Sequence, residues 1–249
     1  PLIEHGISID EMKEKIVEFE NKKLFFNFKE KILNNINKNK FSIITEMKEK
    51  SPSAGLIVNN YNPLEIAKIY YNNKATCLSV LTEEDHFGGD IYHIKMIKDE
   101  GVKLPILCKD FIFHKWQLYQ ARSHGADAIL IILAGVVNQA DEIYEKALNL
   151  NLSVIVEVHT VEEAKYALRF KEALIGINNR NLKTLKTEIS TTYEINNVLV
   201  NHNGPLISES GIKTKEELLD INKKTKIKTF LIGESLLKNL DNNSIFSVL

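Results

Sequence analysis

The sequence has little of what usually staples, links or anchors a chain. Its two cysteines, Cys77 and Cys108, stand alone in apolar runs with no C-x-x-C spacing. That argues against a disulfide framework or a thiolate metal site and reads as two buried thiols of a reducing compartment. The histidines are scattered, and none pairs with another at the i+2 to i+4 spacing of metal ligands, so no metal is expected. His159, two residues after Glu157, reads as a rim histidine. No stretch rich in Gly, Pro or Ser divides the chain and no internal repeat is visible, so one domain over residues 1–249 is expected. The longest apolar stretch, residues 128–137, is too short to span a bilayer, and no signal-peptide pattern opens the sequence. Neither sign of charge prevails: 32 Lys and Arg face 33 Asp and Glu, a net charge of −1. No global field therefore invites nucleic acid or an anionic membrane. A soluble, cytoplasmic protein is expected, whose anion sites are local.

What the chain does have is a regular alternation. Apolar runs occupy residues 41–47, 76–81, 104–107, 128–133, 153–158, 173–177, 205–207 and 229–232. Segments of helical spacing lie between them. Asn62 before Pro63 fits a helix start, and Thr160 with Glu163 and Thr214 with Glu217 both fit the capping box. Trp116, Tyr119 and Ala121 recur as one face of an amphipathic helix. Continuous apolar strands alternating with helices imply a parallel sheet covered on its faces. Eight such units without a Gly-rich fingerprint after the first strand fit a closed barrel better than a doubly wound sheet. The expected fold is α/β: a (β/α)8 TIM barrel over residues 41–249.

Residues 1–40 stand apart as an N-terminal helical extension. Ser8 with Glu11 suggests a helix start, followed by Met12, Ile16 and Phe19 on one face. A second helical segment carries Leu24, Phe28, Ile32 and Leu33. Two roles are open: an extra layer closing one end of the barrel, or a lid over a site.

Polar residues cluster where the strands should end. Glu46 and Lys48 close the first strand two residues apart, so both point into the barrel mouth. Lys109 closes the third strand and Glu157 the fifth. Asn178 and Arg180 share the same period-two relation at the sixth, and Ser210 ends the seventh. In this fold catalytic groups gather at those ends. Two lysines and two carboxylates in one mouth perturb each other's proton affinity, which suits acid–base chemistry. An Arg beside an Asn suits a planar carboxylate or sugar hydroxyls.

Gly211 and Gly233 each follow a strand, the seventh and the eighth. They let backbone amides face a ligand in the loops where this fold binds phosphate. Phe87 in the loop after the second strand, Phe111 near Lys109, and Leu130 and Ile132 on one face of the fourth strand would wall a flat apolar group.

Taken together these motifs resemble the indole-3-glycerol-phosphate synthase family from about residue 41 to 237. The resemblance runs through Glu46-Met47-Lys48, Ser51-Pro52-Ser53, Phe87-Gly88-Gly89, Lys109-Asp110-Phe111 and Glu157-Val158-His159. It continues in Ile177-Asn178-Asn179-Arg180, Ser208-Glu209-Ser210-Gly211 and Gly233-Glu234-Ser235. It implies a cofactor-free ring closure, decarboxylation and dehydration of 1-(2-carboxyphenylamino)-1-deoxyribulose 5-phosphate in tryptophan biosynthesis. By that resemblance Lys109 is the general acid, and Glu157, Glu46 and Lys48 handle the later proton transfers. Ser51, Asn178, Arg180, Glu209 and Ser210 contact substrate, while Gly211, Gly233 and the backbone of Glu234 cradle the phosphate. The partner is a small phosphosugar, and the chain fits a monomer.

Departures are few. Cys108 stands where the family often has Arg, but strand alternation aims it away from the mouth. Ala54 replaces a frequent Lys. A phosphoribosylanthranilate isomerase-like barrel would need Cys and Asp where this chain has Glu46 and Asn178. A metal-dependent epimerase would need strand-end His and Asp ligands. An inactive scaffold barrel should have lost Lys109 or Glu157.

Overall fold

A computed structural model describes residues 7–240 and 244–249. Eight strands close one barrel: β1 (Ser42–Met47), β2 (Cys77–Leu81), β3 (Ile106–Lys109), β4 (Ala128–Ile132), β5 (Ser153–Val158), β6 (Leu174–Asn178), β7 (Leu206–Glu209) and β8 (Thr229–Ile232). Every neighbouring pair is parallel. Ser42 opposite Thr229 closes the ring between β1 and β8, and Ile44 opposite Cys77 starts it between β1 and β2.

Three strands run past the apolar stretches that announced them. Lys109, Asn178 and Glu209 belong to the ladder, while Leu104 and Pro205 precede it. Apolar runs mark the buried body of each strand, whereas backbone pairing continues into the polar mouth. Arg180 and Ser210, expected at strand ends, lie just past them. Arg180 forms an isolated antiparallel bridge with Thr187.

The helices, in chain order, are α1 (Ile9–Asn21), α2 (Phe28–Asn37), α3 (Pro63–Asn72), α4 (Glu84–Phe87), α5 (Tyr92–Asp99), α6 (Lys115–Ser123), α7 (Leu133–Val136), α8 (Ala140–Asn149), α9 (Val161–Ala167), α10 (Ser190–Leu199), α11 (Lys215–Thr225) and α12 (Glu234–Leu237). Caps set many of their starts: Ser8, Asn62 and Thr214 accept the N–H of the residue three positions on. The Thr160 box forms only by half. Thr160 accepts the Glu163 N–H, but the Glu163 carboxylate is drawn to His159 instead of the Thr160 amide.

Two cores result. The outer one, between strands and helices, contains Ile43, Leu78, Cys108, Ile129, Val156 and Phe230. The inner one fills the barrel with Ile44, Leu107, Leu130, Ile155, Leu174, Ile207 and Leu231, joined by Phe28 and Ile32 of α2. Cys108 thus faces outward, and burial pushes its thiol up to about 12.

The N-terminal helices take up the first of the two roles left open. The Lys29 N–H donates to Ser153 Oγ at the start of β5, and the Asn35 amide donates to Ser42 Oγ at the start of β1. So α2 plugs the end opposite the mouth. Met12 and Ile16 of α1 pack on Trp116 and Tyr119 of α6. Neither described helix lines the mouth, so this part of the extension is the closing layer. Leu24 is a correction: it lies in the connection before α2, whose start is fixed by Asn27 accepting the Glu30 N–H. Residues 1–6 of the expected extension lie outside the described residues.

Candidate active site

The polar strand ends converge. Lys109 Nζ sits 3.1 Å from Glu157 Oε2 and 3.1 Å from Glu209 Oε2, joining β3, β5 and β7 across the mouth. Beside them the Lys48 ammonium pairs with the Glu46 carboxylate. All three partners of the first cluster are nearly buried, so each charge depends on the others for solvation.

Their proton affinities follow from that crowding. Burial alone would lower the Lys109 value, but Glu157, Glu209 and Glu46 override it, so the ammonium is held well above its ordinary range. Burial likewise opposes ionisation of Glu157, yet Lys109, His159 and Asn178 pull its carboxyl well below the usual range. Glu209 goes the other way. Burial, aided by the Glu157 charge and opposed by Lys109, pushes its carboxyl up to about 7. Its second oxygen, Oε1, has no hydrogen-bond partner. That oxygen occupies space a side chain on Gly176 would fill, since a Cβ there would lie 2.1 Å from it. For Glu46, burial raises the value, but Lys48 and Lys109 bring it below the ordinary one. One mouth therefore holds a fixed cation, fixed carboxylates and one carboxyl poised near neutrality.

Two adjoining cavities open on this cluster. The first, about 310 Å³, is lined by Glu46, Lys48, Ser51, Phe87, Lys109, Phe111, Leu130, Ile132, Glu157, Asn178, Arg180 and Ser210. The second, about 540 Å³, shares Glu46, Lys48, Lys109, Arg180 and Ser210 and adds Glu209, Gly211, Gly233 and Glu234. Every site residue named from the sequence lines one or both. Phe87 sits at the end of the one-turn helix α4 rather than in an open loop, because the Glu83 carboxylate accepts the His86 and Phe87 N–H groups.

Other residues at the mouth escaped the sequence reading. Leu182 and Leu185 line the first cavity from the loop after β6. The Asn181 side chain shapes that loop by accepting the Lys183 and Thr184 N–H groups. Lys213 and Lys238 border the second cavity. Asn179 points away from the mouth, yet it donates to Ser210 O at 3.0 Å and accepts from the Thr192 hydroxyl at 2.8 Å. It thereby braces the turn in which Ser210 takes a φ of +67° and Gly211 a φ of +84°. Strand alternation pointed to Asn178 and Arg180 and left nothing to single out the residue between them. Among the described residues, no group of three or more His, Cys, Asp or Glu is arranged to hold a metal.

A closed parallel barrel with acids and bases collected at the carboxyl ends of its strands defines the class of (β/α)8 enzymes. Solved structures agree on the fold. The tryptophan synthase alpha-subunit from Pyrococcus furiosus, in a mutant form, superposes with a TM-score of 0.62 at 15% identity, covering 81% of this chain and 91% of that one. Sequence narrows the class. A family model described as indole-3-glycerol phosphate synthase matches residues 4–248. The indole-3-glycerol phosphate synthase of Clostridium acetobutylicum is 39% identical over 95% of this chain and 87% of its own length. That of Prochlorococcus marinus subsp. pastoris is 40% identical over 98% and 82%. The chain belongs to the indole-3-glycerol phosphate synthase family.

Proposed function

We propose that the chain acts as a single barrel domain that closes 1-(2-carboxyphenylamino)-1-deoxyribulose 5-phosphate to indole-3-glycerol phosphate, releasing carbon dioxide and water. The observation that carries the reading is Lys109 held as an ammonium between two carboxylates of opposite tendency. The ring carbon bearing the carboxylate attacks the ribulose carbonyl while Lys109 gives its proton to the carbonyl oxygen. Loss of carbon dioxide returns the bonding pair to the ring. The new hydroxyl then leaves as water, and the neighbouring carbon gives up a proton.

Glu157, kept ionised, suits the base of that last step. Glu209, near half-protonated at neutral pH, suits the return of a proton to Lys109. Lys48, paired with Glu46, gives the departing hydroxyl the proton with which it leaves as water. The first cavity, walled by Phe87, Phe111, Leu130 and Ile132, takes the carboxyphenyl ring, with Arg180, Asn178 and Ser51 toward the carboxylate and hydroxyls. The second takes the phosphate on the amides of Gly211, Gly233 and Glu234, with Lys213 close by. The chain is further proposed to act as a cytoplasmic monomer on a small phosphosugar; among the described residues no helix is long and apolar enough to cross a membrane.

Lys109→Ala tests the assignment. It should cost roughly 10²–10⁴-fold in turnover, the usual worth of a general acid, while substrate still binds. Turnover within a few-fold of the parent would remove Lys109 from the chemistry.

A further inference from the structure

One buried titratable residue has no part in the chemistry so far. His159 follows β5 immediately and is 7% exposed. Its backbone N–H donates to Glu163 Oε2 at 2.7 Å, and its ring Nδ1 lies 3.2 Å from the same oxygen. Its ring Nε2 lies 3.2 Å from Glu157 Oε1, within ion-pair distance. The other Glu157 oxygen, Oε2, faces Lys109. Glu163 is itself fixed, because Thr160 caps its N–H at the start of α9. The half-formed capping box now has a reason: the Glu163 carboxylate is spent on His159. A line of alternating charge results, from Glu163 through His159, Glu157 and Lys109 to Glu209.

We propose that His159, braced by Glu163, is a positioning residue for Glu157: it fixes which oxygen faces Lys109 and supplies positive charge on the far side of the carboxylate. The proposal rests on the reading of Glu157 as a participant in proton transfer. The charged groups around Glu157 are Lys109 on β3, Glu46 on β1, Glu209 on β7 and His159; those around His159 are Glu157 and Glu163. Burial would lower the imidazole, but the two carboxylates push it up to about 9. It therefore carries its charge at neutral pH and acts on Glu157 through that charge and not only through packing.

The test has two parts. In the ¹⁵N-labelled native protein, with His159 assigned by comparison with His159→Asn, both of its ring nitrogens should show imidazolium shifts at pH 7.5. A neutral ring would overturn the proposal whether or not the protein turns over substrate. If His159→Asn does not fold, Glu163→Gln supplies the assignment through the shift it causes in the same signals. In the active enzyme, His159→Asn should move the acid limb of the kcat–pH profile upward. Activity at a pH on that limb, which lies below the ordinary carboxylate range, then falls about tenfold more than at pH 8, one unit on the Glu157 carboxyl. Glu163→Gln should move the limb in the same direction by less. A uniform fall at both pH values, or an unmoved limb, would reduce His159 to packing and end the proposal. Absence of turnover in the native protein would instead count against the proposed function, and the imidazole signals would still decide the placement of His159.

Discussion

Glu157 and Glu209 share Lys109 yet depend on pH in opposite ways. Glu157 has its folded value below the ordinary carboxylate range, so its contribution to stability is complete above the unfolded value, about 4.3, and is lost as pH falls below it. Glu209 has its folded value raised to about 7, so between roughly pH 4.3 and 7 the folded chain binds more protons than the unfolded one. Its contribution shrinks as pH rises through that window. Glu209→Gln mimics the neutral acid and removes the second dependence. The variant should gain stability over the parent at pH 8 and differ little at pH 5, as read by urea unfolding. An equal shift at both pH values would contradict the buried charge. Much at this scale was legible: Glu46, Lys48, Lys109 and Glu157 announce themselves as charges ending apolar runs. The divergence of the two carboxyls did not, because it comes from burial and from the charges of Lys109, Glu157 and Glu46, which stand on strands far apart in sequence.

Among the elements, the connection between α1 and α2 is fastened by a buried ion pair. Asp127 accepts from the Phe26 N–H at 2.7 Å, from Lys98 Nζ at 2.6 Å and from the Ile106 N–H at 2.9 Å, and Lys98 also donates to Leu24 O. Both side chains of the pair are fully buried. Burial lowers the lysine and raises the aspartate, so each keeps its charge through the other. Lys98→Met leaves the carboxylate only the more distant Arg122 guanidinium, 3.9 Å away, and should cost about 3 kcal/mol. Amides of residues 22–27 should lose hydrogen-exchange protection before the barrel does. Protection lost only together with the barrel would show that the pair is not what holds the connection. Caps and apolar periods made α1, α3 and α11 readable in advance. The pair of Lys98 and Asp127 was not, since it joins α5 to the start of β4 across 29 positions of sequence. The end of the barrel closed by α2 was equally hidden, because Phe28 and Ile32 state that a face is buried but not against what.

For the whole molecule, the division of labour runs along the barrel axis. At one end Phe28 and Ile32 complete the inner core; at the other the same strands carry charge. Phe28→Ala should therefore lower stability by about 3–5 kcal/mol, the cost of a core aromatic, while turnover per folded molecule stays at the parent level. Denaturant unfolding beside an active-site titration separates the two; a matching drop in turnover would mean that the ends are coupled. The barrel itself was legible because eight apolar runs separated by helical segments leave few other topologies. The most direct test of the proposed reaction mixes the purified protein with 1-(2-carboxyphenylamino)-1-deoxyribulose 5-phosphate, without added metal or nucleotide, and follows indole fluorescence and released carbon dioxide together. Both should rise in equal amounts, and both should collapse in Lys109→Ala. Substrate that binds and stays unchanged, or carbon dioxide released without an indole product, would contradict the proposed reaction.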